Sequence, residues 1–531
     1  LKSQPLEAAA TPPRIAGSLN RLVITIIGAT FMNRFANARI FAAALLVTGA
    51  WGCEVGPNYH RPPARLPGGY TAATQPAPEL TRYWEVFDDP ALDSLVERAV
   101  QTNLDLELAE ARIRQSRALR DYANGAFFPT VNTDASYTRE KISGAEFGAT
   151  GTGASSSSTP IAGIPTRLNF FQAGFDASYE IDVFGGIRRN AEAAQADLEA
   201  QLDNRRSVLV TLVSEVAEDY VALRGAQREL AIAKENIDTQ QQSVDLTQSR
   251  FRAGIASDLE VAQAQAQLQT TTATLPTFQT LEQQEIHALS VLLGQTPLAL
   301  EAELTAPEPI PPPPPAVPDG LPSDLLRRRP DVREAERNMA AASARVGVAV
   351  ADLFPRFSLT GSFGYESTQL KKWFTPANQF WNFGPAMSWP IFDGGQVRAN
   401  IRAANSVEQQ DIILYRESVL SAMQDVENAL VAYQNELVRE QALRKAVESN
   451  RRALSLANQL YTKGLVDFLN VLDTQATLFT AEDSLVQSQQ TVSTDLVALY
   501  KALGGGWEPF DQPATTRPEG AGNMLTPNVV P

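Results

Sequence analysis

One pattern occurs twice in this chain, about 210 residues apart, and this duplication constrains the fold more than any other feature. Phe251-Arg252-Ala253-Gly254-Ile255-Ala256-Ser257-Asp258-Leu259-Glu260-Val261 aligns with Tyr461-Thr462-Lys463-Gly464-Leu465-Val466-Asp467-Phe468-Leu469-Asn470-Val471. The same offset pairs Leu293-Gly294 with Leu503-Gly504 and Gln265 with Gln475. Upstream, Val183-Phe184-Gly185-Gly186 echoes Phe392-Asp393-Gly394-Gly395. Each copy runs from a strand end through a very long helix, a glycine turn and a second helix. A unit of this size is too long for a solenoid repeat and reads as a duplicated half-domain.

The helices are unusual. Ile187 to Arg250 is 64 residues without proline and with a single glycine, and Gln396 to Lys463 is 68 residues with neither. At 1.5 Å per residue each is roughly 100 Å long, far beyond a globular helix of about 11–12 residues. Such lengths survive by lateral packing against other helices. The seam is visible in Leu209, Val213, Val216, Tyr220, Leu223 and Leu230, and again in Met423, Val426, Leu430, Tyr433 and Leu437. These steps of three and four make a heptad stripe. After the glycine turns, Asp258–Leu293 and Asp467–Leu503 are expected to run back antiparallel, the first kinked at Pro276. Shorter helices are expected over Pro90–Ala123 and Pro322–Ala351, each closed by Phe-Pro, at Phe128-Pro129 and Phe354-Pro355.

Four segments alternate with period two: Val131–Tyr137, Phe175–Val183, Phe357–Tyr365 and Trp381–Ile391. Alternation gives one apolar and one polar face, which suits either a half-buried sheet on a soluble core or a barrel wall with lipid outside and a wet lumen inside. Trp381, Trp389, Phe380, Phe383, Phe170 and Phe171 fit an aromatic girdle in the second case. Four strands are too few to close a barrel with a bore, and open edges are not tolerated in lipid. A membrane reading therefore requires a ring of chains: two give eight strands and a filled lumen, three give twelve and a channel.

The ends and the composition narrow the choice. Met32–Arg39 is a basic segment, Ile40–Val47 is apolar, and Thr48–Gly52 is rich in small residues before Cys53, the only cysteine. This reads as an export signal opening at Met32; a longer signal that also uses Leu22–Ile27 is the alternative. Cys53 falls where a bacterial lipoprotein signal places its acylated residue, and several acyl chains on one residue anchor stably. A buried free thiol is the plainer reading. The net charge of −15 argues against nucleic acid as a partner. One cysteine and two histidines, His60 and His287, leave no metal cluster and no recognisable catalytic motif, so neither a metal nor a cofactor is expected. Ser362 in Gly361-Ser362-Phe363-Gly364 fails the spacing of a nucleophile elbow, and no enzymatic activity is expected. Gly148–Ser158 reads as a flexible loop rather than a phosphate loop, and Pro311–Pro315 as a stiff spacer between the halves.

Several stretches together resemble the TolC-like outer-membrane efflux proteins, in particular the NodT-type lipoproteins of tripartite pumps. They are Gly52-Cys53-Glu54-Val55-Gly56-Pro57-Asn58-Tyr59, the run Gly320-Leu321-Pro322-Ser323-Asp324-Leu325-Leu326-Arg327-Arg328-Arg329-Pro330-Asp331-Val332, both glycine-turn segments, and Val471-Leu472-Asp473-Thr474-Gln475. The resemblance covers residues 52–506. It implies an α+β membrane protein: four transmembrane strands per chain in a homotrimeric 12-stranded β-barrel, continued by a long periplasmic α-helical barrel with an internal two-fold repeat. It implies an exit duct that docks to a periplasmic adaptor and serves an inner-membrane RND-type pump. The expected divisions are 1–52 (upstream extension and signal), 53–80 (lipidated linker), 81–304 (first repeat), 305–321 (Pro-rich linker), 322–506 (second repeat) and 507–531 (disordered tail). By resemblance, Asp473 rings the periplasmic mouth, and Asn470 stands where some members carry a second acid. Tyr461 matches a gate-tethering tyrosine and Glu260 its acidic partner. Gly254, Ile255, Gly464 and Leu465 match the tips that meet the adaptor. Ala50 and Trp51 depart from the usual lipoprotein box before Cys53.

Overall fold

The computed structural model describes residues 54–61, 80–141, 167–313 and 328–511. Cys53 with its signal, the Gly148–Ser158 loop, most of the 53–80 linker, Leu321–Arg327 and the stretch 512–531 lie outside the described residues. The elements are α1 (Pro90–Thr102), α2 (Leu104–Gly125), β1 (Thr130–Lys141), β2 (Arg167–Ile181), α3 (Gly186–Arg252), α4 (Asp258–Thr272), α5 (Leu275–Leu292), α6 (Glu301–Leu304), α7 (Pro330–Ala351), β3 (Arg356–Ser367), β4 (Gln379–Ser388), α8 (Gln396–Thr462) and α9 (Phe468–Ala502).

The strands form one antiparallel meander in the order β1-β2-β3-β4. Register separates two faces. Thr133, Phe175, Phe363 and Trp381 stand side by side in one row; Asn132, Asp176, Ser362 and Asn382 form the next row. Neighbouring rows point to opposite faces of the pleat. On the polar face Asn132 Nδ2 donates to Asp176 Oδ2 at 3.2 Å. On the apolar face Phe175, Trp381 and Phe383 are exposed in the single chain. Parity corrects the girdle: Phe170 and Phe380 share the polar face with Asp176 and Asn382, and the Phe380 ring lies over Gly174 and Gly364. Phe171 belongs to the apolar face, its ring 4.8 Å from that of Tyr137. Neither β1 nor β4 has a second partner among the described residues, so both outer edges are open.

Both long helices are continuous over 67 residues. The heptad residues of α3 are buried throughout, and in α8 Val426, Leu430 and Tyr433 are buried with Met423 and Leu437 packed beside them. Each fully buried Leu or Val contributes about 1.5–3 kcal/mol, so the stripe stabilises helices that would fray in isolation. α3 packs against α4, α5 and α7, and α8 packs along α9 and α7.

The structure corrects three sequence-based boundaries. Pro90–Ala123 is two helices, because Asn103 leaves helical geometry and caps α2: its Oδ1 accepts from Asp105 N (2.9 Å) and Leu106 N (3.0 Å). Within the helix expected over Pro322–Ala351, α7 begins at Pro330, because the residue before a proline is pushed out of the helical region; Arg329 is extended. The return helix breaks between Thr272 and Leu275, with Pro276 in the first turn of α5, where its missing N–H costs nothing. Residues 507–511, expected to open a disordered tail, are instead packed on the fold. Phe510 stacks on Trp84 at 5.7 Å, and Asp511 accepts two hydrogen bonds from Arg206. Ahead of the second copy, residues 306–311 lie across α3 and α9. Buried Arg224 donates to Ala306 O (2.8 Å) and to Glu308 Oε2 (2.7 Å), and Ser493 Oγ donates to Pro311 O (3.0 Å).

Candidate functional site at the helical tip

The two glycine turns end the long helices at the pole away from the sheet. Gly254 and Gly464 both have φ of +73°, the left-handed region that favours glycine. Each closes its helix the same way: Gly254 N donates to Phe251 O and Ile255 N to Arg250 O, while Gly464 N donates to Tyr461 O and Leu465 N to Leu460 O. Ile255 and Leu465, the residues after the glycines, are 67% and 68% exposed. An apolar side chain at each apex thus faces solvent in the single chain.

Below the apex the copies differ, and the difference builds a tether. Ser257 and Glu260 form a reciprocal capping box at the start of α4, with Glu260 Oε1 accepting from Ser257 N at 3.2 Å. The other oxygen, Oε2, accepts the Tyr461 hydroxyl at 2.7 Å. The equivalents of Tyr461 and Glu260 in the opposite copies are Phe251 and Asn470, which cannot form this charged bond. The tether therefore runs one way, from the second copy to the first. Tyr461 is buried, with its ring 5.3 Å from Phe468 in a cluster with Val244, Ala264, Leu268, Ala457 and Val471. Burial first, and then the Glu260 hydrogen bond, push its phenol up to about 12.

Two contacts here were not anticipated from the sequence. The Arg250 guanidinium lies 4.6 Å over the Tyr461 ring and donates to Thr462 O at 3.3 Å. A basic residue in the last turn of α3 was the available signal, since helix C-termini attract cations. Higher up, Gln475 Nε2 donates to Ser243 Oγ at 2.9 Å, joining α9 to α3.

Asp473 lies on α9 with an exposed side chain, one turn beyond Asn470, which is exposed and bonded locally to Asp467 O. Glu260 and Tyr461 meet, while Asn470 bonds to Asp467 O and Asp473 is exposed, neither of them hydrogen-bonded to that pair. Among the described residues no group of His, Cys, Asp or Glu side chains is arranged to hold a metal ion. Ser362 sits in the polar row between Asp176 and Asn382.

A family model described as outer membrane efflux protein matches residues 95–295 and 321–505. The toluene efflux pump outer membrane protein TtgF of Pseudomonas putida is 32% identical over 480 residues, covering 88% of this chain and 97% of that protein. Nodulation protein T of Rhizobium leguminosarum bv. trifolii is 31% identical over 467 residues, with coverage of 86% and 95%. Among solved structures, the outer-membrane channel OprN superposes with a TM-score of 0.78 at 36% identity, covering 86% of this chain and all of that one. The open state of the Neisseria gonorrhoeae MtrE channel superposes with a TM-score of 0.72 at 27% identity, with coverage of 86% and 99%.

Proposed function

Since this chain belongs to the outer membrane efflux protein family, we propose that three copies close a twelve-stranded barrel and continue it as a helical tunnel, the exit duct of a tripartite efflux system. The sheet carries this reading. It has an apolar and a polar face, both outer edges are open, and its hairpins lead into helices of about 100 Å. Pairing β1 of one copy with β4 of the next removes every edge, which lipid requires. The aromatic row then meets lipid, and the Asn132–Asp176–Ser362–Asn382 row lines the bore. Residues 81–304 and 322–506 are the two copies of the repeat, so a trimer presents six helical hairpins at the tip.

The tip supplies docking and gating. Ile255 and Leu465 give each chain two exposed apolar apices, and apolar anchors are what a partner buries. The partner is a periplasmic adaptor that joins the duct to an inner-membrane pump. The Tyr461–Glu260 tether ties the second hairpin to the first and keeps the tip narrow. Three Asp473 carboxylates facing one axis attract cations and repel one another. Acylation at Cys53 adds a lipid anchor to the barrel. Transport through such a duct is passive; the pump supplies the energy and selects among small molecules.

The test is reconstitution. Native mass spectrometry in detergent should give three chains, and the same preparation should conduct in planar bilayers. A monomer that conducts would refute the ring. Export should be lost in a deletion strain challenged with dyes, antibiotics, metals and aromatic acids, and restored by the gene; an unchanged panel would refute the efflux role.

A further inference from the structure

A fitted seam lies at the opposite end of the helices from the tip. Its centre is Arg189, in the first turn of α3 and 3% exposed. Arg189 Nη2 donates to Asn58 Oδ1 at 2.6 Å, and Nε donates to Val55 O at 3.4 Å and lies 3.3 Å from Glu54 Oε1. These three partners all belong to the strap Glu54–Arg61. A fourth, Glu192, accepts from Nη1 at 2.7 Å and holds the guanidinium in place. Val55 N donates to Phe184 O at 3.2 Å, where β2 hands over to α3.

The backbone is fitted as closely as the charges. A Cβ on Gly56 would stand 2.5 Å from Gly347 Cα on α7, and a Cβ on Gly347 would strike Arg189 Cγ at 2.8 Å. Only glycine permits this approach at either place. Farther along, the Tyr59 hydroxyl donates to Glu336 Oε1 (3.1 Å), Arg61 pairs with Glu336 (2.8 Å), and Arg337 lies over the Tyr59 ring (5.9 Å). To detach the strap, a buried guanidinium must lose most of its partners, which is far more costly than releasing a surface segment.

We propose that the groove between α3 and α7 is a receptor for the chain's own Glu54–Arg61 strap, and that Arg189 thereby holds a lipid anchor at residue 53 at a fixed height against the barrel rim. The proposal rests on the acylation of Cys53. Undocked, eight extended residues span about 27 Å, most of a bilayer core, and acyl chains on so long a tether would not set the barrel's depth. Docked, residue 54 is pinned beside Gly185, and the anchor pulls on the strand-to-helix junction itself. Arg189 is a positioning residue for the anchor.

The experiment compares full-length wild type, Arg189→Ala, Cys53→Ser and the double variant in cells. Three quantities are read: amide exchange of residues 54–61, the fraction of heat-resistant trimer, and labelled palmitate incorporation. Arg189→Ala should speed exchange of the strap at least about tenfold. It should lower the trimer fraction severalfold in acylated protein and have no further effect on Cys53→Ser. Gly347→Ala, which crowds the groove without removing a charge, should do the same. Unchanged strap exchange in both variants would overturn the docking. Equal trimer loss with and without Cys53 would overturn the link to the anchor. No palmitate in the wild type would refute acylation, while the exchange result would still decide the docking.

Discussion

Glu260 serves two neighbours at once, one oxygen in the capping box of α4 and the other on the Tyr461 hydroxyl. That division makes Tyr461→Phe an incisive substitution: it removes the tether and leaves the cap and the ring packing intact. A hydrogen bond to a charged group contributes about 1.5–3 kcal/mol, and in the proposed trimer three copies act together. Tyr461→Phe should raise single-channel conductance in planar bilayers, and an unchanged conductance would place the constriction elsewhere. The pH dependence has a definite sign. The phenol is raised from 10.0 to about 12, so on the tyrosine side the tether is intact below about pH 10 and weakens as pH climbs from there through 12. In the proposed gate, Asp473 works by charge at the mouth instead. Asp473→Ala should weaken block by divalent cations with little change in assembly, and undiminished block in the variant would remove it from the pore.

At the scale of elements, α3 is the spine of the chain, and its middle carries acid as well as leucine. Asp219 lies beside Glu215 and Glu218 on α3 and near Glu285 on α5. Burial first, and then these carboxylates, raise it from 3.8 to about 7. Lys501 on α9 faces Glu218 in the same region. A carboxyl raised on folding contributes stability that is full at acid pH and is lost as pH rises toward 7. Thermal unfolding in detergent should therefore have a higher midpoint at pH 5 than at pH 8, and Asp219→Asn should flatten that slope. A slope equally steep in the variant would show that other groups set it. The breaks between α1 and α2 and between α4 and α5 belong to this scale too. Asn103 and Pro276 divide what periodicity presents as single helices, and Asn103 Nδ2 donates to Leu292 O at 2.9 Å, tying the first break to the end of α5.

The whole molecule is defined by what one chain leaves open. β1 and β4 lack outer partners among the described residues, and exposed apolar side chains such as Val407, Ile413, Leu414 and Leu420 run along α8. In the proposed ring, a second and third copy cover both. Cross-linking between cysteines placed on β1 and β4 should yield covalent trimers, and covalent dimers as the largest product would rule out the twelve-stranded ring. Cys53→Ser should take up no labelled palmitate and should assemble with reduced yield, because the barrel itself still anchors the chain. Label entering that variant would remove Cys53 as the acylated residue.

The long helices, the glycine turns, the four strands and the duplication were legible in the sequence because their causes are local. Heptad spacing selects a helix stripe, alternation selects a strand face, and a positive φ selects glycine. The parity that turns Phe170 and Phe380 to the polar face is also local, and counting from Phe175 and Trp381 reveals it. Glu260 and Tyr461 were paired through the family resemblance, since nothing within 200 residues of chain connects them. Arg250 over Tyr461, Gln475 on Ser243 and the strap on Arg189 emerged only with the tertiary structure. Each joins residues more than 130 positions apart. Such contacts depend on how the two copies pack and on which backbone atoms approach each other. Gly56 and Gly347 look like ordinary turn and helix glycines in sequence; only the packed chain puts one against the other.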